Sequence, residues 1–158
     1  MTNNDTLDRL RATLKLTDAE VLECFTLVGR TLTSEAQAGL GAQVQGEART
    51  LLTDALLADF LDGLIIARRG PNPSSSGSRD AVVELTNNMI LKKLRIALNL
   101  HAEDMLKLFH IGGKTLANRE LSVLFRKPTN KHYKACDDEL LSAFLEGVKK
   151  SEELPVAR

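Results

Sequence analysis

The sequence predicts an all-α protein of two homologous four-helix repeats packed as a pseudo-twofold pair. Three observations predict this class. Apolar residues follow helical spacing, the chain repeats itself without a gap at an offset of 84 residues, and a segment rich in Pro, Gly and Ser separates the two copies. The hydrophobic content of 43% and the charged content of 27% are those of an ordinary globular chain.

The repeat is carried mainly by apolar positions at core spacing. The matching pairs include Asn3/Asn87, Asn4/Asn88, Leu7/Leu91, Leu10/Leu94, Arg11/Arg95, Leu14/Leu98, Phe25/Phe109, Gly29/Gly113, Leu40/Leu124 and Phe60/Phe144. Positions of this kind build a core, so the repeat indicates an architecture and identifies no reaction.

Each repeat is predicted to contain four helices. In the first repeat, the first helix has Leu7, Leu10 and Leu14 on one face, the second has Val21, Phe25 and Val28, and the fourth has Leu57, Phe60 and Leu64. The predicted helices span residues 5–15, 18–29, 33–44 and 54–68, then 88–99, 102–112, 117–126 and 138–150. The Asn pairs at 3–4 and 87–88 precede the first helix of each repeat and are predicted to cap it.

The predicted organisation is an acidic helical repeat at 1–70, a flexible linker at 71–84, a basic helical repeat at 85–150 and a tail at 151–158. Because each repeat is small, we expect the two to share one core. Gly63 and Gly147 interrupt the fourth helices and predict a close helix approach where the repeats meet.

Two arginines and two aspartates recur at the repeat offset and are predicted to form structural ion pairs. Arg11 and Arg95 lie at the border of the apolar stripe of the first helix, where a guanidinium needs a partner. Asp54 and Asp138 begin the fourth helices at matching positions. We therefore expect an Arg–Asp bridge between the first and fourth helix of each repeat.

Charge and cysteine content exclude several protein classes. No apolar run is long enough to span a bilayer and the polar start does not match a signal peptide, so a cytoplasmic protein without a membrane role is expected. Cys24 and Cys136 stand alone, which predicts no metal site, no disulfide and no cofactor. No nucleophile or acid–base motif is present, so we expect no enzyme.

The densest basic segment follows the third helix of the second repeat. Residues 1–70 hold 7 Lys and Arg against 10 Asp and Glu, a charge of −3, whereas residues 85–150 hold 12 against 7, a charge of +5. The basic segment is interrupted by Pro128, which predicts a loop, and its candidate binding residues are Arg126, Lys127, Lys131, His132, Tyr133 and Lys134. Cations beside one aromatic ring are typical of a loop that contacts phosphates, and a solvated loop is the alternative.

Four stretches of the second repeat resemble the YehS-like family of uncharacterised bacterial proteins, which carry a duplicated domain of unknown function. These are LKKLRIALNL at 91–100, ELSVLFRKP at 120–128, NKHYKAC at 130–136 and LLSAFLEG at 140–147. The resemblance implies a small, duplicated, soluble bacterial protein without an assigned activity. It also implies a weaker basic loop in the first repeat, and the matching stretch here, AQVQGEAR at 42–49, has lost it.

These observations predict a non-catalytic binding module whose second repeat contacts nucleic acid or an acidic partner protein. The alternative is an interaction or assembly module in which the acidic and basic repeats dock within one chain or, as a homodimer, between chains. The zero net charge favours the alternative, and the basic loop with its tyrosine favours nucleic acid.

Overall fold

The computed structural model describes residues 1–70 and 84–151 and divides the chain into two compact units, Met1–Leu85 and Thr86–Arg158. The described residues contain eight α-helices and no strand, which confirms the predicted all-α class. The first unit holds α1 (Asn3–Leu14), α2 (Asp18–Leu27), α3 (Ser34–Gly39) and α4 (Asp54–Arg69), with a 3₁₀ turn at Gly46–Ala48. The second holds α5 (Asn87–Ala97), α6 (Ala102–Ile111), α7 (Asn118–Leu124) and α8 (Asp138–Lys150).

Two of the predicted segments, the linker and the tail, lie largely outside the part of the chain that the structure describes. Residues 71–83 of the predicted linker and 152–158 of the predicted tail lie outside the described residues. Among the helices that are described, none combines the length and the hydropathy that crossing a bilayer requires.

Threonine side chains begin the first helix of each unit. The hydroxyl oxygens of Thr2 and Thr86 accept the backbone N–H of the third helical residue, at 3.0 and 3.2 Å. The prediction that asparagines cap these helices is therefore wrong. Asn3 and Asn87 are already the first helical residues, so their amides are available for contacts elsewhere in the unit.

Matching positions end the helices in the two units. Lys15 and Asn99 adopt the left-handed conformation, with φ of 56° and 55°, after the first helix of each unit. The third helix is the main departure from the predicted boundaries, because α3 ends at Gly39 instead of continuing to residue 44. Gly39 and Gly41 make a helix costly there, and the chain turns.

Each unit has its own aromatic core, in which the second helix packs on the fourth. Phe25 of α2 meets Phe60 of α4 at 6.1 Å between ring centroids, and Phe109 of α6 meets Phe144 of α8 at 5.5 Å. All four rings are fully buried.

The repeated glycines explain how closely these helices approach. A Cβ at Gly63 would overlap the backbone carbonyl of Cys24 in α2, and a Cβ at Gly147 would overlap that of Leu108 in α6. The predicted close approach is therefore present, but it lies within each unit. The prediction that it marks the meeting of the two repeats is wrong, because the neighbour that forbids a side chain belongs to the same unit as the glycine.

Candidate functional site

The basic segment forms a loop between α7 and α8, as the sequence predicts. It is folded by its own backbone: the Asn130 N–H donates to the Lys127 carbonyl at 2.8 Å, and the Tyr133 N–H donates to the Asn130 carbonyl at 3.0 Å. The five basic side chains of the loop are exposed, and Tyr133 is half-buried. The loop therefore presents its cations to solvent on an ordered backbone.

A buried asparagine of α5 anchors this loop to the helices. Asn88 is 8% exposed, and its amide nitrogen donates to the carbonyls of Leu124 and Lys134 at 2.9 and 2.8 Å. Its side-chain oxygen accepts the Cys136 N–H at 2.8 Å. One amide thus joins α5 to both ends of the loop and satisfies three backbone groups that are otherwise withdrawn from water.

The same anchor exists in the first unit. Asn4 donates to the Thr50 carbonyl at 2.8 Å and accepts the Leu52 N–H at 2.9 Å, at positions that match Lys134 and Cys136. Sequence reasoning assigned these asparagines to capping and missed the anchor. The available signal was their exact recurrence together with the apolar residues of the core.

Beside the loop lies a cleft of ≈ 160 Å³, which we call the Tyr133 cleft. Its apolar and aromatic lining comes from Met89, Leu124, Phe125, Pro128 and Tyr133. Its cations are Lys92 of α5 with Arg126 and Lys127 of the loop, and Thr86 and Asn88 complete the lining. Among the described residues, no carboxylate lines the cleft, so the electrostatic potential there is set by the three cations.

The cleft separates the predicted binding residues into two groups. Arg126, Lys127 and Tyr133 line it, whereas Lys131, His132 and Lys134 are exposed on the remainder of the loop. None of the five basic side chains forms an ion pair with a carboxylate that the structure describes in the second unit.

Seven lining residues were not among the predicted binding residues, and three of the seven show how the two repeats differ at the cleft. Met89, Lys92 and Phe125 take the positions of Asp5, Asp8 and Gly41 in the first repeat. Each of these differences replaces an acidic or absent side chain with an apolar or basic one. The signal that could have identified them is this set of differences between repeats, which periodicity within one repeat does not show.

The matching region of the first unit is occupied by an ion pair. The Arg49 guanidinium contacts the Asp8 carboxylate at 2.5 Å, and these residues stand at the positions of Tyr133 and Lys92. The acidic Asp8 is half-exposed and Asp5 is exposed beside it on α1. An anion is therefore disfavoured at the place where the second unit presents cations.

The predicted Arg11–Asp54 and Arg95–Asp138 bridges are wrong. Arg11 contacts the Asp18 carboxylate and the Leu40 carbonyl, both at 2.5 Å. Arg95 donates to the Leu100 carbonyl at 3.2 Å and lies over the Phe125 ring, 4.9 Å from its centroid.

The two arginines differ because their surroundings have diverged. Position 102, which matches Asp18, is an alanine, and position 125, which matches Gly41, is a phenylalanine. The second arginine therefore has a ring to cover where the first has a carboxylate. Arg95 therefore contacts, on one face, a ring that lines the Tyr133 cleft.

Asparagines are the observed partners of the repeated aspartates. Asn3 Nδ2 donates to Asp54 Oδ1 at 2.8 Å, and Asn87 Nδ2 donates to Asp138 Oδ1 at 2.7 Å. The Asn3 hydrogen bond, followed by that from the Leu85 N–H, holds the pKa of Asp54 below its ordinary value of 3.8. These contacts join the start of the first helix to the start of the fourth and are structural.

Both cysteines are buried free thiols. Burial raises the pKa of Cys24 to about 11 and that of Cys136 to about 12. A thiol of this kind is protonated at neutral pH and is a poor nucleophile. Among the described residues, no three His, Cys, Asp or Glu side chains are grouped as a metal ion would require.

Comparison with known proteins gives a family and no activity. A family profile described as "Protein of unknown function (DUF1456)" matches residues 3–70 and 87–152. The protein described as "Uncharacterized protein YehS" from Escherichia coli (strain K12) is 30% identical over 148 residues, which cover 94% of each chain. No solved structure gives a significant match. The two matched segments begin 84 residues apart, at Asn3 and Asn87, and the resemblance to the YehS-like family is confirmed.

Proposed function

The chain belongs to this DUF1456 family, and from the geometry of its second unit we propose that it is a non-catalytic nucleic-acid-binding protein of the cytoplasm. Its binding surface is the basic loop at residues 126–134 together with the adjoining Tyr133 cleft. The four permanent cations of the loop, Arg126, Lys127, Lys131 and Lys134, contact backbone phosphates, and the aromatic ring of Tyr133 contacts the ligand between them.

One observation carries this proposal: a cluster of exposed cations lies on a hydrogen-bonded loop, next to a cleft that no carboxylate lines in the part of the chain that the structure describes. Surface lysines are usually interspersed with acidic residues, which cancel their field at a distance. Here the loop that carries the cations is held by the Asn88 anchor, and these exposed cations have no ion-pair partner among the described residues of their own unit. A polyanion is the ligand that this arrangement attracts most strongly.

The difference between the repeats supports the same conclusion. Both units keep the asparagine anchor and the aromatic core, so the fold does not require the cations. The stretch at 42–50, which matches the basic loop, contains Glu47 and a single cation, Arg49, which is paired with Asp8. A feature that the fold does not need, and that only one copy carries, is best explained by a ligand.

The test is the salt dependence of binding by the full chain, measured by fluorescence anisotropy of labelled DNA and RNA. Each neutralised phosphate adds about −0.9 to the slope of log affinity against log salt for a duplex and about −0.7 for a single strand. Four contacts give a slope of roughly −3 to −4. The double variant Lys131→Gln/Lys134→Gln should reduce that slope by about half, because it removes two of the four contacts.

A matched control removes the same charge elsewhere in the second unit. Lys107→Gln/Lys149→Gln changes two exposed lysines that are outside the loop and the cleft, and it should leave the slope unchanged. Equal losses in the two double variants would show a general charge effect and no binding surface. A protein that ignores DNA and RNA at about 50 mM salt, where contacts of this kind are barely screened, refutes the proposal and favours the assembly module.

A further inference from the structure

The Tyr133 cleft allows the ligand class to be narrowed, an inference that rests on the proposed function. We propose that the cleft seats one unstacked base, so that the ligand is single-stranded DNA or RNA and not a duplex. Proteins that bind single strands combine cations that follow the backbone with aromatic side chains on which bases stack. The cleft brings both kinds of side chain to one place.

The walls of the cleft suit the face of a base. Tyr133 and Phe125 contribute rings, and Met89 contributes a polarisable side chain that is 37% exposed. The guanidinium of Arg95 lies over the Phe125 ring, 4.9 Å from its centroid. In a duplex both faces of a base are covered by its neighbours, so only a base that has left the stack can contact this surface.

The size of the cleft argues against a free small molecule. Pockets that enclose drug-sized ligands have volumes of about 300–1,000 Å³, whereas this one has ≈ 160 Å³. A planar group that is tethered to a longer polymer needs only a shallow seat, because the polymer makes further contacts outside it. The exposed Lys131 and Lys134 of the same loop are available for those contacts.

The cations at the cleft come from two different elements. Lys92 lies on α5, whereas Arg126 and Lys127 lie on the loop. The phosphate groups that flank a seated base therefore meet positive charge from both elements. In the first unit, Asp8 replaces Lys92 and binds Arg49, so the matching region there does not offer the same seat.

Tyr133 also provides the experiment, because the chain has one tyrosine and no tryptophan. Titration of the full chain with oligothymidylate or oligouridylate of about 15 nucleotides should quench the tyrosine emission to saturation, since a stacked base quenches a phenol ring. Heparin supplies negative charge without bases, so it should compete for the loop without quenching. The DNA and RNA titrations distinguish the two sources of a single strand.

Substitutions give an independent readout by anisotropy with labelled oligothymidylate. Tyr133→Ala should weaken binding about 5- to 150-fold, the usual range for loss of one stacking contact, and Tyr133→Phe should retain the affinity because it keeps the ring. The matched control is Arg49→Ala, at the same position of the first repeat, and it should leave the affinity unchanged. A thermal melt checks that each variant is folded. If Tyr133→Ala does not fold, the quenching of tyrosine emission in the wild-type chain tests the base seat by itself.

These experiments separate the base seat from phosphate binding by the loop. Salt-dependent binding without quenching, or equal affinity for duplex and single strand that Tyr133→Ala does not change, overturns the base seat and leaves phosphate binding intact. If the chain binds neither oligothymidylate, oligouridylate nor duplex DNA at low salt, both the base seat and the proposed nucleic-acid binding are overturned. Saturable quenching by single strands, with none by heparin, supports the inference.

Discussion

Replacement of Asn88 by alanine tests the anchor that holds the basic loop. The substitution removes three hydrogen bonds, to the Leu124 and Lys134 carbonyls and from the Cys136 N–H, all between 2.8 and 2.9 Å. A hydrogen bond contributes about 0.5–1.5 kcal/mol net, so the loss is about 3 kcal/mol of unfolding free energy. The buried Cys136 N–H left without an acceptor keeps the cost at that level or above it.

The first unit supplies the comparison for this prediction. Asn4→Ala removes two hydrogen bonds of the same kind, with Thr50 and Leu52, and should cost about 2 kcal/mol. Asn88→Asp keeps the shape of the side chain and one acceptor oxygen, but it places a carboxylate oxygen against the Leu124 and Lys134 carbonyls, to which it cannot donate. It should therefore destabilise the chain at least as much as alanine does at neutral pH. Urea unfolding followed by far-ultraviolet circular dichroism gives all three values.

Hydrogen exchange locates the effect. In Asn88→Ala the amide of Cys136 should lose more protection than the lower unfolding free energy alone explains, because its acceptor is gone, whereas amides in the middle of α6 should lose only that general share. Any nucleic-acid binding should also fall per folded molecule, since the loop loses its attachment to α5. If Asn88→Ala unfolds within about 0.5 kcal/mol of wild type, the amide is not an anchor and the reasoning is refuted.

Two further predictions concern the helix packing and the helix-start contacts. Gly147→Ala should destabilise the chain by about 1–3 kcal/mol in urea unfolding, because the added Cβ overlaps the Leu108 carbonyl, and this cost exceeds the gain of about 1 kcal/mol in helix propensity. Lys149→Ala, exposed on the same helix, is the control, and a stabilised Gly147→Ala would contradict the close packing. Because the pKa of Asp54 is lowered in the folded state, its ionised carboxylate stabilises the fold above the ordinary pKa of 3.8, and this contribution is lost as the pH falls through the folded-state pKa. The unfolding free energy of Asp54→Asn should therefore lie below that of wild type at pH 7 and converge with it in acid. A difference that does not change with pH would contradict this prediction.

The sequence by itself determined the class, the duplication and most helix boundaries. The pattern of leucine and phenylalanine repeats with a helical period, and this pattern is local, so α2, α4, α6 and α8 fall within a few residues of their predicted spans. The basic loop was also identifiable, because Pro128 and the density of charge are properties of neighbouring residues.

Only the tertiary structure decided which repeated residues are partners. Asn3, Arg11 and Asp54 all recur at the repeat offset, and the sequence does not show whether Asn3 or Arg11 lies close to Asp54 in the folded chain. Asn3 begins α1 and Asp54 begins α4, so their contact joins two helix starts. Arg11 lies eight residues further along α1, about 12 Å away at 1.5 Å per residue, where Asp18 is the acid within reach.

The Tyr133 cleft also depends on tertiary structure, because its lining comes from segments that are distant in sequence. Met89 and Lys92 lie on α5, more than 30 residues before the loop that supplies Arg126, Lys127 and Tyr133. Composition could identify the loop as basic, but the apolar wall beside it exists only once α5 packs there and Asn88 ties the two together. Hydrophobic periodicity shows which residues of one helix face the protein core. A cleft forms between elements that pack against each other, so its lining is determined by tertiary packing.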